Sequence, residues 1–358
     1  MDALRTGSKI RLGPGARAPQ RSPAQRGAAV ACAAVLLLGV VWLSPRGAGG
    51  GSGSWLRTGA GRAAPIEPPP PPGAPAPATV DALPRHLRDL GLRLFGSREG
   101  LAKVLDNMAQ PRDVSMTVPG GVLRMRYVQA KTDIALNHMS FESDDYRLRT
   151  LDPEGRSLVV DVGSNIGDAA VTAALRAPKS RVLAFEPAPT TYFYLCYNAW
   201  VNGVPLLAEA DLANPEAAGL LAVHGAAGAR SGTMTVRWSD TISINAAVGT
   251  DSQIIGDWNS AEVPAIRLKD YLADHGVERV DVFKIDCEGC EFELIPDFES
   301  WLLPKDGKVG RVTGEIHMVL LTNTPTHAGK ATKEQGAEMT RILEARGCKP
   351  HASAIVNC

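Results

Sequence analysis

The sequence predicts an α/β protein built on a mostly parallel, doubly wound sheet, and three observations carry that expectation. Strand-like apolar runs alternate with helical patterns from Leu158 to the end of the chain. The run Leu158-Val159-Val160-Asp161-Val162 turns through Gly163-Ser164-Asn165-Ile166-Gly167 into the helical stretch Asp168–Leu175. Such a strand–loop–helix unit is where open α/β sheets bind nucleotide-like ligands. A second run, Arg181–Phe185, closes on Glu186, 19 residues beyond Gly167, where an acid can accept both ribose hydroxyls of an adenosine.

The loop spacing is D-x-G-x-N-x-G. It is not the dinucleotide pattern G-x-G-x-x-G, because Asn165 stands where the second glycine would. A cationic sulfonium ligand has no pyrophosphate and needs no such close backbone approach. An acid at the strand end, Asp161, can instead face its positive end. Gly163 takes backbone angles denied to other residues, and Gly167 lets the helix approach the loop. Asp161, Gly163, Asn165, Gly167 and Glu186 are therefore expected to bind S-adenosylmethionine. The competing reading is an α/β enzyme with a different ligand.

The chain has 358 residues, enough for one large domain or two modest ones. Lys+Arg and Asp+Glu both number 38, so no global charge points to nucleic acid. The charge is unevenly placed. Arg5, Lys9, Arg11, Arg17, Arg21 and Arg26 face the single acid Asp2 in the tail 1–26. An uncharged run from Ala28 to Leu43 follows, with Trp42 where an interfacial aromatic would sit. Residues 27–44 are expected to be a transmembrane signal anchor at the short end of the range, with the tail cytosolic and the rest lumenal. A cleaved signal peptide would have a shorter leading region, and a transit peptide would lack so sustained an apolar run. A buried core helix would not sit beside such a flank. Residues 45–80, with a Gly/Ser run at Gly47–Gly53 and prolines from Pro65 to Pro77, are expected to form a disordered stem. Tail, span, stem and catalytic domain make the layout of many Golgi enzymes, and by that analogy the protein is expected to be a single-pass type II membrane protein of the Golgi or another endomembrane, with an organelle-targeted or secreted protein as the alternative.

Globular composition begins near Val80. Leu83, Leu87, Leu90 and Leu94 recur at helical spacing, Leu101–Met108 reads as a further short helix, and Val122–Val128 alternates as a strand. Residues 81–150 are expected to be a cap on the methyl-donor domain, 151–358. Within that domain Pro187 and Pro189 break the chain and Tyr192–Val201 reads as a helix ended by Asn202-Gly203. Leu220–Gly228 reads as a strand and turn, Gly232–Trp238 as an edge strand, Val263–Leu268 as short and extended, and Lys269–His275 as a helix start. Val280–Asp286 and Val309–His317 are the next strands, and Glu334–Arg346 is the final helix.

Four motifs then stand in order: Asp161-Val162-Gly163-Ser164-Asn165-Ile166-Gly167, Ala184-Phe185-Glu186-Pro187, Lys284-Ile285-Asp286-Cys287-Glu288-Gly289-Cys290-Glu291 and Glu315-Ile316-His317. The chain resembles the FkbM family of S-adenosylmethionine-dependent methyltransferases over roughly residues 140–350. The family usually has Ala at the place of Ser164, and aliphatic or small residues at Cys287 and Cys290. The resemblance implies a Rossmann-like class I methyltransferase fold and transfer to hydroxyl groups, often on sugars or polyketides.

Methyl transfer is an in-line displacement, so alignment of the acceptor oxygen is the main task. A hydroxyl acceptor must also lose a proton. Asp286 and Glu288 end one strand, Glu315 and His317 the next. His317 is the natural base because its unperturbed pKa lies near neutrality, with Glu288 or Asp286 as rivals and Asp286 also a cofactor contact. Glu291 reads as a helix-start acid. No metal-ligand set declares itself. Of six cysteines, Cys32 lies in the proposed span. A single C-x-x-C, Cys287 to Cys290, is weak for zinc. Disulfides Cys287–Cys290 or Cys348–Cys358, or plain packing, are the remaining readings. The expected activity is O-methylation of a glycan hydroxyl. A lipid or small metabolite as acceptor, and a non-catalytic cofactor-binding scaffold, are the alternatives.

Overall fold

The computed structural model describes residues 79–131, 143–239, 259–303, 307–317, 331–349 and 355–358, the backbone of 242–248, and stem positions 68, 69, 74, 75 and 77. All lie in one compact unit, Gly39–Cys358. The expected anchor at 27–44 and most of the expected stem lie outside the described residues. Among the described residues no helix is long and apolar enough to cross a membrane.

Two helices open the unit, α1 (Arg85–Phe95) and α2 (Arg98–Asn107). Gly96, at φ 70°, ends the first. Ser97 then caps the second, its hydroxyl accepting from Gly100 N at 3.0 Å. Strands β1 (Arg112–Val118) and β2 (Gly121–Tyr127) form an antiparallel hairpin around Pro119-Gly120. The sequence reading found β2 alone. In β1 only Met116 is buried, so its apolar alternation is faint.

The remaining elements, in order, are β3 (Leu158–Val162), α3 (Asp168–Arg176), β4 (Arg181–Glu186), α4 (Pro189–Val201), β5 (Gly219–His224), β6 (Ala226–Gly228), β7 (Gly232–Ser239), β8 (Ile242–Val248) and β9 (Asn259–Arg267). They continue with α5 (Leu268–Asp274), β10 (Val280–Ile285), α6 (Glu291–Asp297), α7 (Glu299–Leu302), β11 (Val309–Glu315), α8 (Lys333–Arg346) and β12 (Ile355–Asn357). The main sheet runs β12-β11-β10-β3-β4-β5. Its neighbours pair in parallel except β11 with β12, so the sheet is mixed. From β3 the chain steps outward to β4 and β5, then returns to β10 on the other side of β3. The crevice at the carboxyl ends of β3 and β10 is thus the switch point at which such folds bind ligands.

Strand alternation decides which face each side chain covers. Val159, Val182 and Ala184 pack with α1, α2, α3 and α4. Leu158, Val160, Val162, Phe185 and Phe283 pack with α5, α6 and α8. Helices therefore cover both faces, as a doubly wound sheet requires. Every residue of α4 is buried, which explains its apolar composition all round. Pro189 does not break the chain before this helix. It occupies the first turn, where a missing N–H costs nothing.

Strands β6 to β9 build a second sheet, ordered β6-β9-β7-β8. Strand β7 was expected at an edge and instead lies between β9 and β8, antiparallel to both. Alternation identifies a strand but not the number of its partners. Val236 and Val263 of this sheet pack on Ala188, beside the end of β4.

The N-terminal hairpin is tied to the glycine loop through α4. Asn198 accepts from Val128 N at 2.7 Å and donates to Val128 O at 3.0 Å and Ile166 O at 2.8 Å. All of this amide's bonding is buried, so it couples the two regions as one rigid piece.

Candidate active site

The glycine loop crosses between two strand ends. Gly163 has φ 77°, and a Cβ there would lie 1.9 Å from Asp286 O. Only glycine lets β3 and β10 approach so closely. Gly167, at φ 87°, faces the neighbouring helix rather than its own. A Cβ would meet Leu195 Cδ1 of α4 at 2.5 Å. Asn165 also takes a left-handed backbone, φ 50°. Gly163→Ala should cost at least about 1–3 kcal/mol from backbone strain alone, read as a lower urea midpoint. An unchanged midpoint would show that the two strand ends can part freely.

Glu186 is buried at the end of β4. Its Oε2 accepts from Asn165 N at 2.8 Å, and Oε1 accepts from Ala188 N at 2.9 Å and Thr191 Oγ1 at 2.8 Å. Burial pushes the carboxyl up from its usual range against these bonds. The acid at this spacing thus binds the glycine loop to the start of α4, a task the sequence does not reveal. Oε2 accepts one bond here and retains capacity for a second.

Between β3 and β11 sits Lys284, buried in mid-strand. Its ammonium donates to Gly163 O at 2.7 Å and lies 2.9 Å from Asp161 Oδ1 and 3.8 Å from Asp286 Oδ2. Burial would lower its pKa, but Asp161, Asp286 and Asp168 outweigh that and raise it. Asp168, at the start of α3, is pushed up to about 7, first by burial, with Lys284 opposing. Asp161 is 1 % exposed, and neither of its oxygens accepts a hydrogen bond among the described residues beyond the Lys284 pair.

The ends of β10 and β11 converge beyond this lysine. One oxygen each of Asp286 and Glu315 and one nitrogen of His317 lie within 4.8 Å of one another. His317 Nε2 is 3.5 Å from Glu288 Oε2 and 3.8 Å from Asp286 Oδ1. Its Nδ1 lies 2.9 Å from Glu291 Oε1, which also accepts from His317 N at 2.9 Å. Glu291 is fully buried, so it is more than the helix-start acid expected: it clamps the end of β11. Tyr146, from the segment before β3, donates its hydroxyl to Asp286 Oδ2 at 2.7 Å, and its ring lies over Lys284, 5.4 Å from the ammonium to the centroid.

The surroundings of His317 act against a near-neutral pKa, the property that suggests it as base. Burial would lower its pKa, but Glu288 and Glu291 together hold it well above the usual histidine value. That direction favours the imidazolium, the form that cannot take a proton. Glu315 moves the other way. Burial first, and then the Asp286 charge, push its carboxyl up to about 7, with His317 opposing. The sequence reading noted Glu315 and assigned it no role. Lys284, Tyr146 and Asp168 were missed. Lys284 carried a signal, a charge within the apolar strand Val282–Ile285. Tyr146 carried none, being 140 residues from Asp286.

These residues fit S-adenosylmethionine. The glycine turn and Asp161 offer a cradle with unsatisfied buried acceptors, Asn165 Oδ1 among them, and Glu186 lies beside it, bonded to Asn165 N. Asp286, Glu315 and His317 have the donor types of a divalent-cation site. A protein cation already stands beside them, with Lys284 Nζ 3.8 Å from Asp286 Oδ2. Cys287 and Cys290 are joined in a disulfide, as are Cys348 and Cys358. That removes the thiolates a zinc ion would need.

Comparison with known proteins identifies the family. The methyltransferase sdnD of Sordaria araneosa is 26 % identical over 176 residues, 41 % of this chain and 63 % of that protein. The 31-O-demethyl-FK506 methyltransferase FkbM of Streptomyces tacrolimicus is 28 % identical over 179 residues, 45 % of this chain and 66 % of that protein. The chain thus spans less than two thirds of the length of either. Among solved structures, a precorrin-6y C5,15-methyltransferase from Geobacter metallireducens GS-15 aligns with a TM-score of 0.31 at 13 % identity, covering 62 % of this chain and 78 % of that one. Residues 161–350, more than half of the chain, match the methyltransferase FkbM domain. The chain belongs to the FkbM family of methyltransferases, and its cofactor is S-adenosylmethionine.

Proposed function

We propose that this protein is an O-methyltransferase acting on a glycan hydroxyl, from a lumenal catalytic domain held by a single N-terminal span. The observation that carries the chemistry is the meeting of Asp286, Glu288, Glu315 and His317 at the ends of β10 and β11, beside the glycine loop. Bound S-adenosylmethionine supplies an activated methyl group on a positively charged sulfur. Asp161, Gly163, Asn165 and Gly167 would hold it, and Glu186 would accept from its ribose hydroxyls. Asp286 and Glu288 flank the acceptor and align its oxygen. Glu315, with a carboxyl tuned to about 7, takes the acceptor proton, in the place first assigned to His317. His317, as an imidazolium, holds the surrounding carboxylates together. Support for a glycan comes from the expected lumenal topology together with the family's range of hydroxyl acceptors.

The full-length protein in detergent, given labelled cofactor and panels of glycans, lipids and small metabolites, should yield a glycan heavier by one methyl on oxygen. A methylated lipid or metabolite instead would move the acceptor, and methyl on nitrogen or carbon would refute O-methylation. Glu186→Ala should weaken cofactor binding by about 1.5–3 kcal/mol, the worth of a hydrogen bond to a charged group. Calorimetry giving equal affinities would remove Glu186 from the ribose. Topology has its own check. Protease added to sealed microsomes should clip only the tail 1–26, and digestion of a C-terminal tag without detergent would reverse the orientation.

A further inference from the structure

The Cys287–Cys290 disulfide closes a ring around Glu288 and Gly289. Inside that ring Glu288 has φ 57°, a left-handed backbone disfavoured for glutamate, and Gly289 has φ 121°. The ring is fastened on both sides. Asp286 N donates to Val162 O at 3.0 Å, joining it to β3. Gly289 N donates to Glu291 Oε2 at 2.8 Å, while the other oxygen of Glu291 holds His317. Glu291 therefore ties the ring to the end of β11. Glu288, at the crest of the ring, reaches His317 Nε2 from the opposite side. Cys290 is buried, whereas Cys287 is only half-buried, so a small thiol can reach the bond through Cys287.

We propose that the Cys287–Cys290 disulfide and Glu291 form a redox-controlled clasp that positions Glu288 and His317 for the acceptor, so that a dithiol reductant reversibly switches methyl transfer off. The inference rests on the acceptor site proposed above. In the switching step a thiolate of the dithiol attacks Cys287 Sγ, and the S–S bond breaks to release Cys290 as a thiolate, which takes up a proton. The second thiolate of the dithiol then attacks the mixed disulfide and releases Cys287, which is protonated in turn. The protein gains two electrons and two protons, and the reductant leaves as a cyclic disulfide. With the ring open, nothing covalent keeps Glu288 in its left-handed backbone. Gly289 and Glu291 can then separate, and the hold on His317 loosens. The glycine loop meets the ring only at the backbone of Asp286 and Cys287, which the bond from Asp286 N to Val162 O holds, and the bonds of Glu186 lie elsewhere, so cofactor affinity should persist.

The test uses the full-length protein under graded dithiothreitol, with differential alkylation and mass spectrometry to report which cysteines are reduced. Nitrogen-15 NMR of the His317 imidazole and calorimetry of cofactor binding are run on the same samples. On reduction of Cys287–Cys290, acceptor kcat/KM should fall roughly 10²-fold, the usual consequence of an ångström-scale misplacement. Cofactor Kd should stay within about twofold, a change too small to signal a lost hydrogen bond. The His317 titration should shift down, and reoxidation should restore all three readings. Cys287→Ser/Cys290→Ser should be fixed at the low rate and indifferent to dithiothreitol. Glu291→Gln should show the His317 shift even when oxidised. An unmoved His317 signal on reduction overturns the clasp whatever the activity. So does a loss of cofactor binding in step with the acceptor, since the disulfide would then merely hold the fold. A moving His317 signal with no methylated acceptor in either state keeps the clasp and refutes the acceptor reading instead.

Discussion

Glu315→Gln lowers turnover by about 10²–10⁴-fold, the usual worth of a general base, while leaving cofactor affinity nearly unchanged. The replacement keeps the shape of the side chain and removes its ability to take a proton. The expectation comes from a carboxyl raised to about 7 by burial and by the Asp286 charge, at the end of β11. A base is most effective when its pKa lies near the working pH. The wild-type rate should therefore rise with pH through about 7, as the carboxyl ionises. The variant should lose that limb. Steady-state rates of wild type, Glu315→Gln and Glu288→Gln across pH 5–9 or so decide the matter. If Glu288→Gln carries the loss and Glu315→Gln does not, Glu288 is the base. If neither does, deprotonation of the acceptor is not limiting.

His317→Ala acts first on stability. The imidazole is 9 % exposed and Glu291 is 0 % exposed, so truncation leaves a buried carboxylate with its backbone donors but without its side-chain partner. Breaking a buried pair from one side typically costs about 3–5 kcal/mol. Urea unfolding near neutral pH should show that loss. The pH dependence follows from the direction of the shift. Folding raises the histidine pKa above its unfolded value of about 6.5, so the contribution is complete below that pH. It fades as pH rises through the elevated folded value. The gap between wild type and His317→Ala should thus be widest in mild acid and narrow in alkali. A gap that widened with pH would mean that the imidazole is neutral in the fold, and would return it to the role of base.

The places where sequence reasoning stopped short share one cause. A mid-strand lysine is visible as a charge in an apolar run, yet its partners Asp161 and Asp286 sit on β3 and just beyond β10. Glu291 lies next to a helix start, and only the distance of 2.9 Å to His317 turns it into a clamp. In the second sheet β7 was recognised as a strand, but its place between β9 and β8 depends on pairings that alternation does not encode. Tyr146 reaches the site because the segment before β3 is held across the sheet, Asp145 O accepting from Asn357 and Arg147 O from Arg311. Loop and cap positions of this kind leave no periodic trace.

What the sequence determined by itself is local and periodic. Apolar runs mark β3, β4 and β10, and the glycine turn demands left-handed angles at Gly163 and Gly167. The acids at the strand ends follow from chain direction, because a parallel sheet brings the carboxyl ends of β3, β4, β10 and β11 to one edge. Tertiary structure alone decided the ionisation at that edge. A histidine becomes an imidazolium when two carboxylates close on it, and a glutamate approaches neutrality when burial and a neighbouring aspartate outweigh that imidazolium. Charge–charge energy depends on separation and on exclusion of water. Neither is a property of residue order, so the identity of the base at this site is set by packing.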